Sequence, residues 1–358
     1  MAEQIKEVIK QEYVKCAQDP AYFMQKYCMI QHPIRGKIPF ELYDFQDKVV
    51  KEFQEHRMNV ILKARQLGIS TLTAGYSLWM MTFQQDKNIL VIATKQEVAK
   101  NLVTKVRVMH ANLPSWLKQR CVEDNKLNLR YRNGSQIKAV SSGPEAARSE
   151  ALSLLILDEA AFIDKIDDIW TAAQSTLTTG GQCIALSTPN GVGNWFHKTW
   201  VEAEEGRGLF NPIKLHWTVH PDREENWRKE QDTLLGIGSA AQECDCDFLT
   251  SGTGVIDATL LENLRKNHCK DPLEKRGIDS NMWVWESANY NKDYIVCADV
   301  GRGDSADYSA FHIIELESLT QVAEYKGRIN TKDFGNMLVS VATEYNDALL
   351  IVENNNIG

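Results

Sequence analysis

Nowhere in the sequence do about eighteen apolar residues follow one another, so no helix able to cross a bilayer, and no membrane partner, is expected. The opening Met1-Ala2-Glu3-Gln4-Ile5-Lys6 lacks the apolar stretch of a secretory leader, which makes the cytosol the expected compartment. The eight cysteines never form a C-x-x-C pair, so zinc is not expected. Even Cys244 and Cys246 with His268 and Cys269 read as ordinary reduced thiols. Nine tryptophans are scattered and build no stacking platform. A positive balance is missing too. The formal net charge of −8 argues against a protein that clings to nucleic acid over its whole surface. Locally the balance reverses: Lys95, Lys100, Lys105, Arg107, Lys118, Arg120, Lys126, Arg130, Arg132 and Lys138 stand against only Glu97, Glu123 and Asp124. Such an excess suits a face that tracks phosphates, and equally the solvated sides of ordinary helices.

What is present is a hydrophobic fraction of 43%, ample for a core, in a length that suggests two domains or one large and one partial. The chain is organised around Leu154-Leu155-Ile156-Leu157-Asp158-Glu159-Ala160-Ala161-Phe162. Four large aliphatic residues in a row suit a strand buried on both faces of a parallel sheet. Ligands bind at the carboxyl end of such a strand. There Asp158 can hold Mg²⁺ and Glu159 can orient and deprotonate a water, the Walker B pattern with the added hydrolytic carboxylate. A strand end followed by a helix N-terminus, where acids suit the dipole, is the other reading.

A partner elsewhere in the chain decides between them. Met58-Asn59-Val60-Ile61-Leu62 reads as a short strand, and Lys63-Ala64-Arg65-Gln66-Leu67-Gly68-Ile69-Ser70-Thr71 follows before a helix from Leu72 to about Phe83. Strand, tight loop and helix N-terminus make a phosphate cradle. Gly68 and Ser70 fit G-x-x-x-x-G-K-[ST], with Thr71 behind, but the first glycine is Lys63 and the expected lysine is Ile69. Ile69 cannot neutralise a phosphate. Lys63 can supply the ammonium from the start of the loop, with Arg65 as a second cation and Ser70 as the natural Mg²⁺ ligand. Ahead of the loop, Phe45-Gln46 lies on a predicted helix running to about His56; Gln46 can pair with an adenine edge and an aromatic can stack on the ring.

Further strands are expected at 88–94 and 182–188, a helix at 97–110, and a hairpin turn at Arg132-Asn133-Gly134-Ser135. Arg148, just before the acidic strand, is a candidate arginine finger. Ser187-Thr188, ending a buried strand beside the hydrolytic pair, can sense the γ-phosphate and pass the signal on. The alternation gives an α/β fold: a P-loop, doubly wound, mainly parallel sheet.

With these pieces in order, the sequence resembles the large terminase subunit of tailed bacteriophages, the ATPase motor that packages DNA into the capsid. The residues that carry the resemblance are Phe45-Gln46, Arg65-Gln66-Leu67-Gly68, Leu157-Asp158-Glu159-Ala160-Ala161-Phe162, Ser187-Thr188-Pro189-Asn190-Gly191 and Ser251-Gly252-Thr253-Gly254. They cover most of residues 40–255. The resemblance implies that Glu159 is the catalytic carboxylate and Ser187-Thr188 the coupling motif. Some family members carry the phosphate-binding lysine early in the loop, as Lys63 would be here.

The family also has an RNase H-like nuclease domain, and Tyr294 to Glu315 reads as its first two strands around a Gly-rich turn. Asp299, Asp307 and Glu353 are acids at strand ends, the donor type that two Mg²⁺ or Mn²⁺ ions require; by resemblance Asp299 and Glu353 are catalytic there. The expected organisation is a motor domain over 1–255 (core about 40–210, lid about 215–255), a linker over 256–290 and an incomplete nuclease domain over 291–358. Little nuclease activity is expected. The resemblance further implies double-stranded DNA, a portal protein, a small terminase subunit and a homo-oligomeric ring as partners. It places the protein in the host cytoplasm, transiently at the portal vertex, and outside the mature virion. Another P-loop translocase or helicase, or a nucleotide-binding assembly protein that does not hydrolyse, are the rival readings.

Overall fold

The computed structural model describes residues 2–141, 151–177, 180–248, 260, 264, 267–277, 279–301 and 308–353. The chain divides into two compact units, Met1–Asn263 and Leu264–Gly358. The first begins with helices α1 (Ala2–Gln18) and α2 (Pro20–Tyr27), separated because Asp19 caps the second helix at Tyr22 N and Pro20 takes its first position. A small antiparallel hairpin of β1 (Met29–His32) and β2 (Gly36–Pro39) follows.

Eight strands then build the central sheet: β3 (Met58–Lys63), β4 (Asn88–Ala93), β5 (Cys121–Asp124), β6 (Asn128–Tyr131), β7 (Gln136–Val140), β8 (Leu154–Asp158), β9 (Gln182–Ser187) and β10 (Asn211–Leu215). Their spatial order is β10-β3-β9-β8-β4-β7-β6-β5. The six from β10 to β7 run parallel, and β6 and β5 turn back antiparallel. The turn expected at 132–135 joins β6 to β7.

Both faces of the sheet are covered, which is why its strands are apolar on both sides. On one face Ile61, Val91, Ile156 and Ile184 pack with α2, α3 (Asp44–Glu55), α4 (Ile69–Phe83) and α5 (Gln96–Ala111). On the other, Leu62, Ile92, Leu155, Leu157 and Ala185 meet α6 (Ile166–Leu177) and α7 (Trp195–Glu204). Leu154 to Leu157 are each 0% exposed. At roughly 1.5–3 kcal/mol for each fully buried leucine or isoleucine, these four residues lock β8 into the middle of the sheet. After β10, helices α8 (Glu225–Leu235) and α9 (Ile237–Cys244) form a small helical subdomain within the first unit.

The second unit is a six-stranded sheet in the order β11-β12-β15-β14-β13-β16: β11 (Glu274–Arg276), β12 (Met282–Val284), β13 (Tyr294–Asp299), β14 (Ser309–Glu315), β15 (Thr320–Gly327) and β16 (Leu349–Val352). Only β13 and β16 pair in parallel. Helix α10 (Thr331–Glu344) covers one face, setting Phe334, Leu338 and Val341 on Val296, Phe311 and Ile313. The stretch 256–290, read from the sequence as linker, therefore supplies two strands of this sheet.

Candidate active site

Residues 63–71 leave the carboxyl end of β3 and enter α4 through two left-handed backbone positions, Gln66 at φ 57° and Gly68 at φ 74°. For glutamine that conformation costs about 1–2 kcal/mol. At Gly68 it is required twice over, since a Cβ there would lie 2.7 Å from Gln46 Nε2. The start of the loop is pinned from outside: Ala64 N donates to Leu215 O (2.8 Å) and Arg65 N to Glu243 O (2.7 Å). Among the described residues, the N–H groups of residues 66–70 have no acceptor within the chain. A run of free amides at a helix N-terminus is an anion cradle.

β8 delivers the acids to this cradle. Asp158 is 5% exposed and its Oδ1 accepts a hydrogen bond from Ser70 Oγ at 3.2 Å. Burial raises its carboxyl pKa above the ordinary aspartate range, with Glu159 adding to the rise while Lys63, Lys105 and Ser70 oppose it. Glu159 follows in the left-handed region at φ 55°, which turns its carboxylate out of the strand direction. Lys63 Nζ, on a side chain only 7% exposed, lies 3.1 Å from Glu159 Oε1. The lysine at the head of the loop thus faces the acidic pair across the sheet. Ile69, where the ordinary motif carries lysine, is 1% exposed among apolar neighbours.

Between β3 and β8 runs β9, so its carboxyl end enters the same site. Ser187 Oγ accepts from Ala161 N (3.2 Å), and Asn190 Nδ2 donates to Ala161 O (3.1 Å). The turn behind Glu159 is therefore tied to the end of β9. Thr188 is 2% exposed beside it. From α9, Gln242 Nε2 donates to Pro189 O (3.0 Å), which joins the end of β9 to the small subdomain.

The adenine assignment needs correction. Gln46 is 3% exposed, its Oε1 accepts from Tyr43 N (3.2 Å) and its Nε2 donates to Leu67 O (2.9 Å). It ties α3 to the phosphate loop rather than offering a free amide edge. Phe45 is buried, stacked at 5.6 Å on Tyr43, whose ring is the exposed one and meets His220 at 4.7 Å. Arg65 is largely exposed, 3.8 Å from the Glu243 carboxylate. Thr71 lines a cavity of about 240 Å³ with Lys105. Arg148 and Asp307 lie outside the described residues.

Three residues escaped the sequence. Lys105 occupies the apolar stripe Val98-Leu102-Lys105-Met109 of α5, a spacing that signals an inward-facing cation; burial lowers its pKa despite attraction to Asp158. Glu243, raised by burial, and Arg223, on the loop before α8, carried no local signal. In the second unit, Asp299 and Glu353 come together at the ends of neighbouring parallel strands: Ala298 pairs with Val352, and Glu353 N donates to Ala298 O at 2.9 Å.

A free-amide loop after a parallel strand, with a serine and two acids facing it, defines a P-loop nucleotide-binding domain of the doubly wound α/β class. Residues 60–262 match the family model described as "Terminase large subunit, T4likevirus-type, N-terminal", and the chain belongs to that family. Among curated proteins it is similar to the terminase large subunit of Thermus phage G20c, 28% identical over 193 residues, 49% of this chain and 36% of that protein. It is also similar to the probable terminase large subunit gp28 of Escherichia phage Mu, 27% identical over 249 residues, 58% of this chain and 44% of that protein. The matches thus span under half the length of either relative. The fold is shared with the HK97 bacteriophage large terminase at a TM-score of 0.52 and 15% identity, over 94% of this chain and 74% of that one.

Proposed function

We propose that this chain is the ATP-hydrolysing motor of viral DNA packaging, moving double-stranded DNA into a procapsid. The observation that carries it is the convergence of Lys63, Ser70, Asp158 and Glu159 on a loop with free amides. The loop amides and Lys63 hold the β- and γ-phosphates. Arg65, exposed at the rim, adds a second cation. Tyr43 and His220 offer the base its aromatic wall, with Phe45 stacked behind and Gln46 fixing the loop.

Ser70 Oγ and Asp158 are oxygen donors on neighbouring elements, the set that suits Mg²⁺. When bound, that ion neutralises charge on the phosphate oxygens. Glu159 orients the attacking water and takes its proton; Lys63, at hydrogen-bond distance, keeps that carboxylate facing the loop. The turn of Ala160 to Phe162, held by Ser187 and Asn190, and the Gln242 contact to Pro189 form a continuous route from the hydrolytic carboxylate to α9. This supports Ser187 and Thr188 as the coupling residues and α8–α9 as the moving lid. Double-stranded DNA, a portal protein, a small terminase subunit and a ring of copies at the portal vertex in the host cytoplasm complete the reading. Asp299 and Glu353, on adjacent strand ends, are the proposed start of a Mg²⁺- or Mn²⁺-dependent nuclease site.

The rivals are weaker. A helicase of paired motor domains would repeat the P-loop unit, whereas the second unit, among the described residues, is a mixed sheet with α10 on one face. A non-hydrolysing binder has no use for a carboxylate where Glu159 stands. Steady-state ATP hydrolysis tests the proposal. The parent is expected to turn over, and Glu159→Gln to bind ATP while hydrolysing about 10²–10⁴-fold more slowly. Lys63→Ala is expected to lose hydrolysis through lost phosphate binding. A Lys63→Ala protein with the parent's turnover would sink the displaced-lysine reading.

A further inference from the structure

Arg223 stands outside the catalytic group yet reaches the phosphate loop from the small subdomain. Its Nη1 donates to Arg65 O and its Nη2 to Gln66 O, both at 3.1 Å. The guanidinium lies over Trp227, 4.3 Å from the ring centroid. Trp227 in turn packs on Trp217, 5.8 Å between ring centroids, and Trp217 belongs to the core that carries β10. The fork is thus braced from the core outward. Burial lowers the pKa of Arg223, although its guanidinium stays charged at physiological pH.

A trans peptide points its C=O and its N–H in opposite directions. Holding the carbonyls of Arg65 and Gln66 toward Arg223 therefore turns the N–H groups of Gln66 and Leu67 away from it, into the concavity of the loop. The strained residue at φ 57°, Gln66, sits between two such restraints, the Arg223 fork and the Arg65 N to Glu243 O bond. A non-glycine residue keeps a left-handed conformation only where its surroundings over-determine it.

We infer that Arg223 is a positioning residue for phosphate binding, clamping the two loop carbonyls so that the following amides face the anion. This rests on the nucleotide reading above and extends it: the lid holds the cradle in shape, so lid movement changes phosphate affinity. Lysine cannot replace the fork, because one ammonium does not present two parallel donors in a fixed plane.

The test is ATP affinity and steady-state kinetics for the full chain carrying Arg223→Ala, Arg223→Lys, Gln66→Gly and the Gln66→Gly/Arg223→Ala pair. Arg223→Ala is expected to weaken ATP binding and raise KM about tenfold, with kcat at saturation within about threefold, and Arg223→Lys to fall between. Glycine holds φ near 57° without penalty. The loss on removing Arg223 should therefore shrink to about threefold or less in the Gln66→Gly background, a coupling that mere loss of lid packing does not produce. An Arg223→Ala protein that binds ATP like the parent overturns the clamp. So does an equal loss in both backgrounds. A parent that binds no ATP instead removes the nucleotide reading itself, and the clamp with it.

Discussion

At the scale of single residues, the site concentrates cost in a few places and derives its chemistry from them. Gln66 and Glu159 both hold left-handed backbone that β-strand and helix neighbours do not need. Asp158 is a buried carboxyl held above its ordinary pKa, chiefly by burial. The fold therefore favours its neutral form. Stability from this group is fully present below the ordinary aspartate range and is lost as pH rises through the raised value. Asp158→Asn is expected to melt higher than the parent at pH 8, with the gap closing as pH falls toward 4, while metal-dependent hydrolysis is abolished. Thermal unfolding at the two pH values checks the first half and an ATPase assay the second. A variant less stable than the parent at pH 8 would show that the Ser70 bond outweighs burial.

At the scale of elements, the decisive arrangement is β9 lying between β3 and β8. It brings Ser187 under the turn that follows Glu159 and sets Pro189 against Gln242 of α9. Ser187→Ala removes the acceptor of a buried N–H, at a cost of about 1–3 kcal/mol. The expected result is a lower melting temperature and a kcat that falls more than ATP affinity does, because the base is loosened while the cradle is not. Equal kcat in parent and variant would detach β9 from hydrolysis. The strands themselves were legible: the aliphatic runs at 58–62, 88–92 and 154–157 can only be buried on both faces. The short β1–β2 hairpin and β11–β12 were not, since each is three or four residues with no alternation to read.

At the scale of the whole molecule, Met1–Asn263 has its own two-faced core around the sheet, and Leu264–Gly358 has another around α10. Residues 1–263 made alone are expected to unfold cooperatively and to bind ATP within about threefold of the full chain, as calorimetry and titration would measure. A fragment that stays unfolded would show that the first unit does not fold on its own. The local basic excess of the sequence is partly spent within the fold. Lys100 pairs with Glu97 and Arg107 with Asp124, while Lys105 is half-buried on α5.

The sequence by itself determined the α/β class, the phosphate loop and the acidic strand end, because these are local: a buried strand needs apolar residues, a left-handed turn needs Gly68, and hydrolysis needs carboxylates at a strand end. It also pointed to Lys63 as the displaced cation, since Ile69 carries no charge. Only the tertiary structure decided who meets whom. Lys63 and Glu159 are distant in the chain and touch because β3, β9 and β8 are neighbours in one parallel sheet. Gln46 became a brace for the loop because both ends of its amide found backbone partners there. Arg223 and Glu243 reached the loop through the packing of the small subdomain on β10, a contact that no residue's immediate neighbours in the sequence specify.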